Sequence, residues 1–101
     1  MSRGLGDVYK RQIYIDNGAA KALSNGKSLL AAGITKINGN FKKGENVMIL
    51  DQNNNQLARG LSSFSSTEID KIKGKQSKEI ETILGYLSKT EVIHKDDMVL
   101  L

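Results

Sequence analysis

The spacing of apolar residues changes several times along this chain. Ile13, Tyr14 and Ile15 form a short β-branched and aromatic run of strand type. Asp16 then offers a carboxylate to cap a helix, which Ala19, Ala20, Ala22 and Leu23 favour and Asn25-Gly26 ends. Leu29 to Ala32 make a compact apolar turn that feeds a strand holding Ile34 and Ile37. Asn38-Gly39 and Lys43-Gly44 are turn signals. Val47 to Leu50 is continuously apolar, which predicts a strand covered on both faces. A polar turn follows over 51–56, and then a strand over Leu57 to Phe64 with Gly60 inside it. An interior glycine there predicts a bulge or a close backbone approach.

Helical spacing then returns. Ser65 and Glu68 form a capping box before Ile69 and Ile72, and Gly74 stops that helix. Ser77 is the expected cap of the next, whose stripe is Ile80, Ile83 and Leu84 and whose stop is Gly85. Glu91 to His94 and Met98 to Leu101 read as closing strands. The order predicts an α+β domain: a small mixed β-barrel, or pseudo-barrel, with short peripheral helices.

The first twelve residues break this pattern. Residues 1–12 have no helical or strand period and two glycines. They read as a non-native or disordered leader, with a linker from an upstream domain as the alternative. The folded domain is then expected over 13–101.

Length allows one domain, since the chain has 101 residues. Cysteine is absent, which removes disulfides and thiolate metal sites and suits a reducing cytoplasm. No apolar run approaches a membrane span, so no membrane partner is expected. The net charge of +4 invites a nucleic-acid reading, but half of it sits in the leader, where Arg3, Lys10 and Arg11 face only Asp7. The remaining chain is too near balance for a strong phosphate-seeking field.

Catalytic and cofactor motifs are weak. Gly26-Lys27-Ser28 matches the end of a phosphate-binding loop, but Lys21 stands where the first glycine is required and a helix precedes instead of a strand. Gly39 and Gly44 have the complementary spacing, yet Glu45 follows where that loop needs lysine. His94 is the only histidine and has no second ligand cluster near it, although Asp96 and Asp97 allow a local contact. Glu79 and Glu81 fall off the apolar stripe of their helix and solvate it. Lys21, Lys27, Lys36, Lys42 and Lys43 all lie in the first half, as a solvated face or a weak RNA-backbone patch. These residues imply no catalytic, metal or cofactor-binding group.

Several ordered anchors carry a family resemblance. They are Asp16-Asn17-Gly18-Ala19 with Ala22-Leu23, Lys27-Ser28-Leu29-Leu30 with Gly33, and Phe41 with Gly44. Next come Ala58-Arg59-Gly60-Leu61, Lys73-Gly74-Lys75 with Ser77, and Leu84-Gly85-Tyr86. Glu91 to Asp96 closes the series. The first three resemble PUA domains in general; the later ones resemble the C-terminal PUA domain of the glutamate 5-kinase family. Ala31, where that family usually has proline, and Phe64, where tyrosine is common, depart from the pattern.

The resemblance implies an accessory, regulatory domain, not an enzyme by itself. The parent enzyme would phosphorylate the side chain of glutamate with ATP and magnesium, at the head of proline biosynthesis and under proline feedback. Those ligands would bind a separate amino-acid kinase domain. The implied partners are that domain, further copies of the parent enzyme, and weakly a structured RNA; the implied location is the cytoplasm. In other proteins PUA domains bind RNA through the first helix, the following loop and the adjacent strand. By position that surface includes Gly18, Lys21, Lys27, Ser28, Leu29, Gly33 and Lys36, and a free-standing RNA-binding module is the alternative function.

Overall fold

The computed structural model describes residues 11–85 and 90–101. The expectations for residues 1–10 and for Tyr86 lie outside them. The first strand, β1 (Gln12–Ile15), starts one residue ahead of Ile13. Gln12 is buried, and the Arg11 guanidinium pairs with Glu45 at 3.3 Å. Helix α1 (Asn17–Ser24) follows, capped by Asp16, whose Oδ1 accepts from the Ala19 amide at 2.8 Å. Then come β2 (Leu29–Leu30), a 3-10 turn (Ala31–Gly33) and β3 (Ile34–Asn38). Strands β4 (Asn46–Leu50) and β5 (Gln56–Leu61) form a hairpin. Helices α2 (Ser66–Ile72) and α3 (Ser77–Leu84), β6 (Glu91–Ile93), a 3-10 turn (Lys95–Asp97) and β7 (Met98–Leu100) complete the chain.

Five strands form a mixed sheet in the order β3-β1-β4-β5-β7. The β1–β4 pair is parallel, with Ile13 opposite Ile49, and the other pairs are antiparallel. Strands β2 and β6 form a separate antiparallel ribbon. One core joins the layers. Ile13, Ile15, Val47 and Ile49 meet Leu29 and Ile93 of the ribbon and Leu23, Ile69, Ile72 and Ile80 of the helices. Burying these aliphatic groups is the main stabilising contribution, at about 25 cal/mol per Å² removed from water. The α+β arrangement with short peripheral helices is the one the sequence predicts.

The apolar run of β4 is covered on both faces. Val47 and Ile49 enter the core, while Met48 and Leu50 point the other way and are 5% and 3% exposed. Their register partners are Gln12 and Arg59 for Met48, and Tyr14 and Gln56 for Leu50. Gly60 meets a close approach, as its place in β5 implies. A Cβ there would sit 2.6 Å from the Asp97 carbonyl oxygen and 2.8 Å from Ile93 Cγ2.

Besides the early start of β1, and β6 and β7 each ending one residue short of expectation, two boundaries differ. Strand β5 stops at Leu61 and does not reach Phe64. The Ser62 hydroxyl accepts from the Phe64 amide and donates to the Phe64 carbonyl, a local ring that competes with the sheet ladder. The bend carries the Phe64 ring into the core, where it is 1% exposed. Helix α3 is capped by Gln76 and not by Ser77, which is its first helical residue. The Glu79 carboxylate accepts from the Gln76 amide at 3.0 Å, closing the turn one residue early.

Candidate functional site

The N-terminus of α1, the loop behind it and the 3-10 turn enclose an apolar groove of about 400 Å³. Its construction starts at Asp16, where β1 ends. The Asp16 amide donates to the Gly33 carbonyl at 3.0 Å, while its carboxylate holds the first turn of α1. These two bonds fix the helix against the turn. Gly33 allows the contact: a Cβ there would lie 2.4 Å from Ala19 Cβ, inside any real carbon–carbon contact. Beyond α1, Gly26 takes φ +80° and the Lys27 amide returns to the Ala22 carbonyl, bringing Lys27 and Ser28 to the groove edge.

Four of the seven residues expected at the surface line this groove: Gly18, Lys27, Ser28 and Gly33. Lys21 is exposed on α1 outside the lining. Leu29 is 1% exposed and packs in the core, so its side chain offers nothing to the surface; Leu30, 43% exposed, lines the groove instead. Lys36 lies on the other face of the sheet, its ammonium 4.5 Å from the centre of the Tyr14 ring, a cation–π contact. Asp16, Ala19, Ala22 and Ala32 complete the wall and were not anticipated there. Strand alternation implies that one of Leu29 and Leu30 faces out, but not which.

The groove has little chemistry of its own. Lys27 brings one positive charge and Asp16 one carboxylate, already bonded to a backbone amide. The Ser28 hydroxyl oxygen accepts from the Lys95 amide at 2.8 Å, which ties the loop to the segment before β7. Such a site can hold an apolar group or a base with one phosphate beside Lys27, but it does not concentrate phosphate. His94 Nδ1 accepts from the Asp96 amide at 3.1 Å and lies 3.5 Å from Asp96 Oδ2, which caps the 3-10 turn. Glu79 and Glu81 face solvent. Among the described residues no group of three or more His, Asp or Glu side chains converges as a metal site, and no helix is long and apolar enough to cross a membrane.

Comparison with known proteins places these features. The chain is 66% identical over 90 residues to a glutamate 5-kinase of Pelagibacter ubique, covering 89% of this chain and 24% of that enzyme. It is 48% identical over 91 residues to the glutamate 5-kinase of Microcystis aeruginosa, with the same shares covered. The chain therefore spans about a quarter of the length of these relatives. A PUA domain structure from Aeropyrum pernix K1, in a tartrate complex, superposes with a TM-score of 0.63 at 22% identity, covering 84% of this chain and 41% of that one. A chain of the archaeal box H/ACA sRNP Nop10–Cbf5 complex superposes with a TM-score of 0.60 at 26% identity, covering 82% of this chain and 24% of that one. The PUA domain family matches residues 11–84, which takes in the whole groove and most of both layers. On this fold and this match, the chain belongs to the PUA domain family.

Proposed function

We propose that this chain is the accessory, regulatory domain of a glutamate 5-kinase and does not transfer phosphate by itself. The observation that carries this reading is the 66% identity to the Pelagibacter ubique enzyme over only 24% of its length. Phosphoryl transfer needs a phosphate cradle and a metal-binding carboxylate set. Glutamate, ATP and magnesium belong, on this reading, to the rest of the parent enzyme, with the kinase domain as the PUA domain's partner. The test is glutamate-dependent ATP turnover by the purified chain. No turnover above buffer is expected; turnover that scales with protein concentration overturns the reading. A second assay uses a related full-length glutamate 5-kinase. Removing its matching region is expected to change proline inhibition while leaving the reaction itself.

A second reading is an RNA-binding module. It is favoured by the likeness to a chain of the H/ACA ribonucleoprotein complex. The near-neutral groove argues for weak affinity. A mobility shift with structured RNA that weakens steeply with salt supports it, and no shift at low ionic strength ends it.

A further inference from the structure

A second cleft lies between α2 and α3, formed by different elements from the groove at α1. It has a volume of about 520 Å³ and is lined by Lys71, Lys75, Lys78, Glu79, Thr82 and Ile83. The three lysines come from three places: Lys71 from α2, Lys75 from the connection, Lys78 from α3. All three are exposed, and among the described residues none forms an ion pair. The lining also holds the Glu79 carboxylate, which keeps its charge while bonded to an amide, so three positive charges face one negative. Lys73 pairs with Asp70, and the Glu79 carboxylate accepts from the Gln76 amide. Like charges brought together without partners raise the local potential and favour an anion between them.

We propose that this cleft is a binding site for a compact oligophosphate anion. Ammonium groups bind phosphate as point charges and need no forked geometry, so three lysines on flexible stems can close on one multivalent anion. The Thr82 hydroxyl adds a donor to the same wall. The surroundings select a short ligand over an extended polyanion. Asp70 lies next to Lys71 and Glu81 lies further along α3, both outside the lining, so a nucleic-acid backbone running past the cleft would meet carboxylates that a short anion held by the lysines need not reach.

The test is an amide NMR titration of the whole chain at low ionic strength with inorganic triphosphate, sulfate and a single-stranded RNA as separate arms. Triphosphate is expected to give saturable shifts at Lys71, Lys75, Lys78 and Thr82, lost as salt is raised. Each lysine-to-alanine change should weaken binding by up to about fivefold, the effect of one exposed ion pair. The K71A/K78A double variant should therefore weaken it by up to about 25-fold. K42A/K43A, which leaves the cleft intact, should titrate as the parent does. The proposal fails if triphosphate shifts are linear, if they map around Lys27, if sulfate reproduces them, or if RNA saturates the cleft more tightly. Exposed lysines are not needed for folding, and an unchanged circular dichroism spectrum confirms that for each variant.

Discussion

Gly18 and Gly33 face the same groove, and a methyl group added to each has an opposite consequence. At Gly33 the new carbon would meet Ala19 Cβ at 2.4 Å and Ala19 Cα at 3.6 Å. Neither can rotate away, so α1 must lift off the 3-10 turn. Gly33→Ala is expected to destabilise the chain by about 1–3 kcal/mol, the usual range for an overpacked contact. At Gly18 the nearest atom is Asp16 Oδ1 at 3.5 Å, an ordinary contact. There alanine lowers the entropy of the unfolded chain, and Gly18→Ala should stabilise by about 0.5 kcal/mol. Thermal unfolding of the two variants against the parent checks both signs. Asp16 was legible locally as a helix cap, while Gly18, Lys27, Ser28 and Gly33 were placed at this surface by the family resemblance and not by any local signal. The sequence did not separate Leu29 from Leu30 or place Lys36 beside Tyr14. Those depend on which face of a strand is covered, and only the other strands decide that.

The β4–β5 hairpin is the element whose behaviour follows most directly from one side chain. Asp51 accepts from the Asn53 amide at 2.8 Å, the Asn55 amide at 3.0 Å and Asn55 Nδ2 at 3.0 Å. Asn54, within this turn, takes φ +66°, a left-handed conformation asparagine tolerates. The hydrogen bonds from the Asn55 side chain, then from its amide and that of Asn53, hold the Asp51 carboxyl below its ordinary value of 3.8. A lowered folded pKa means the carboxylate's contribution is fully present above 3.8 and is lost as pH falls through the lower folded value. A carboxyl NMR titration should give Asp51 a midpoint below 3.8, with the Asn53 and Asn55 amides moving at the same pH. A midpoint at or above that value would remove the account. Asp51→Asn should abolish the transition. The polar turn was legible because aspartate and asparagine at these spacings form such rings locally. The end of β5 was not, because the Ser62–Phe64 ring breaks a strand pattern that otherwise continues.

At the scale of the whole molecule, the pairing was the hidden part. The alternating and continuous apolar runs identified the strands, but nothing local couples β1 in parallel to β4 while placing β3 on its other side. That choice belongs to the shared core, which among the described residues draws on both sheets and all three helices. A single core predicts a single unfolding transition. Ile80 tests this best, because it is 2% exposed in the most peripheral helix yet belongs to the same cluster as Ile13 and Ile49. Ile80→Ala should cost about 2–4 kcal/mol, as for other large-to-small core changes. In a chain of this length that lowers Tm by roughly 10 °C or more. Far-ultraviolet circular dichroism and tyrosine fluorescence should shift together, because losing the α3 contact loosens the packing that also supports β1 and β4. If the helices melted first and the sheet kept its original Tm, α2 and α3 would be a separate unit resting on the sheet. The oligophosphate cleft would then depend on the stability of that unit and not of the whole domain.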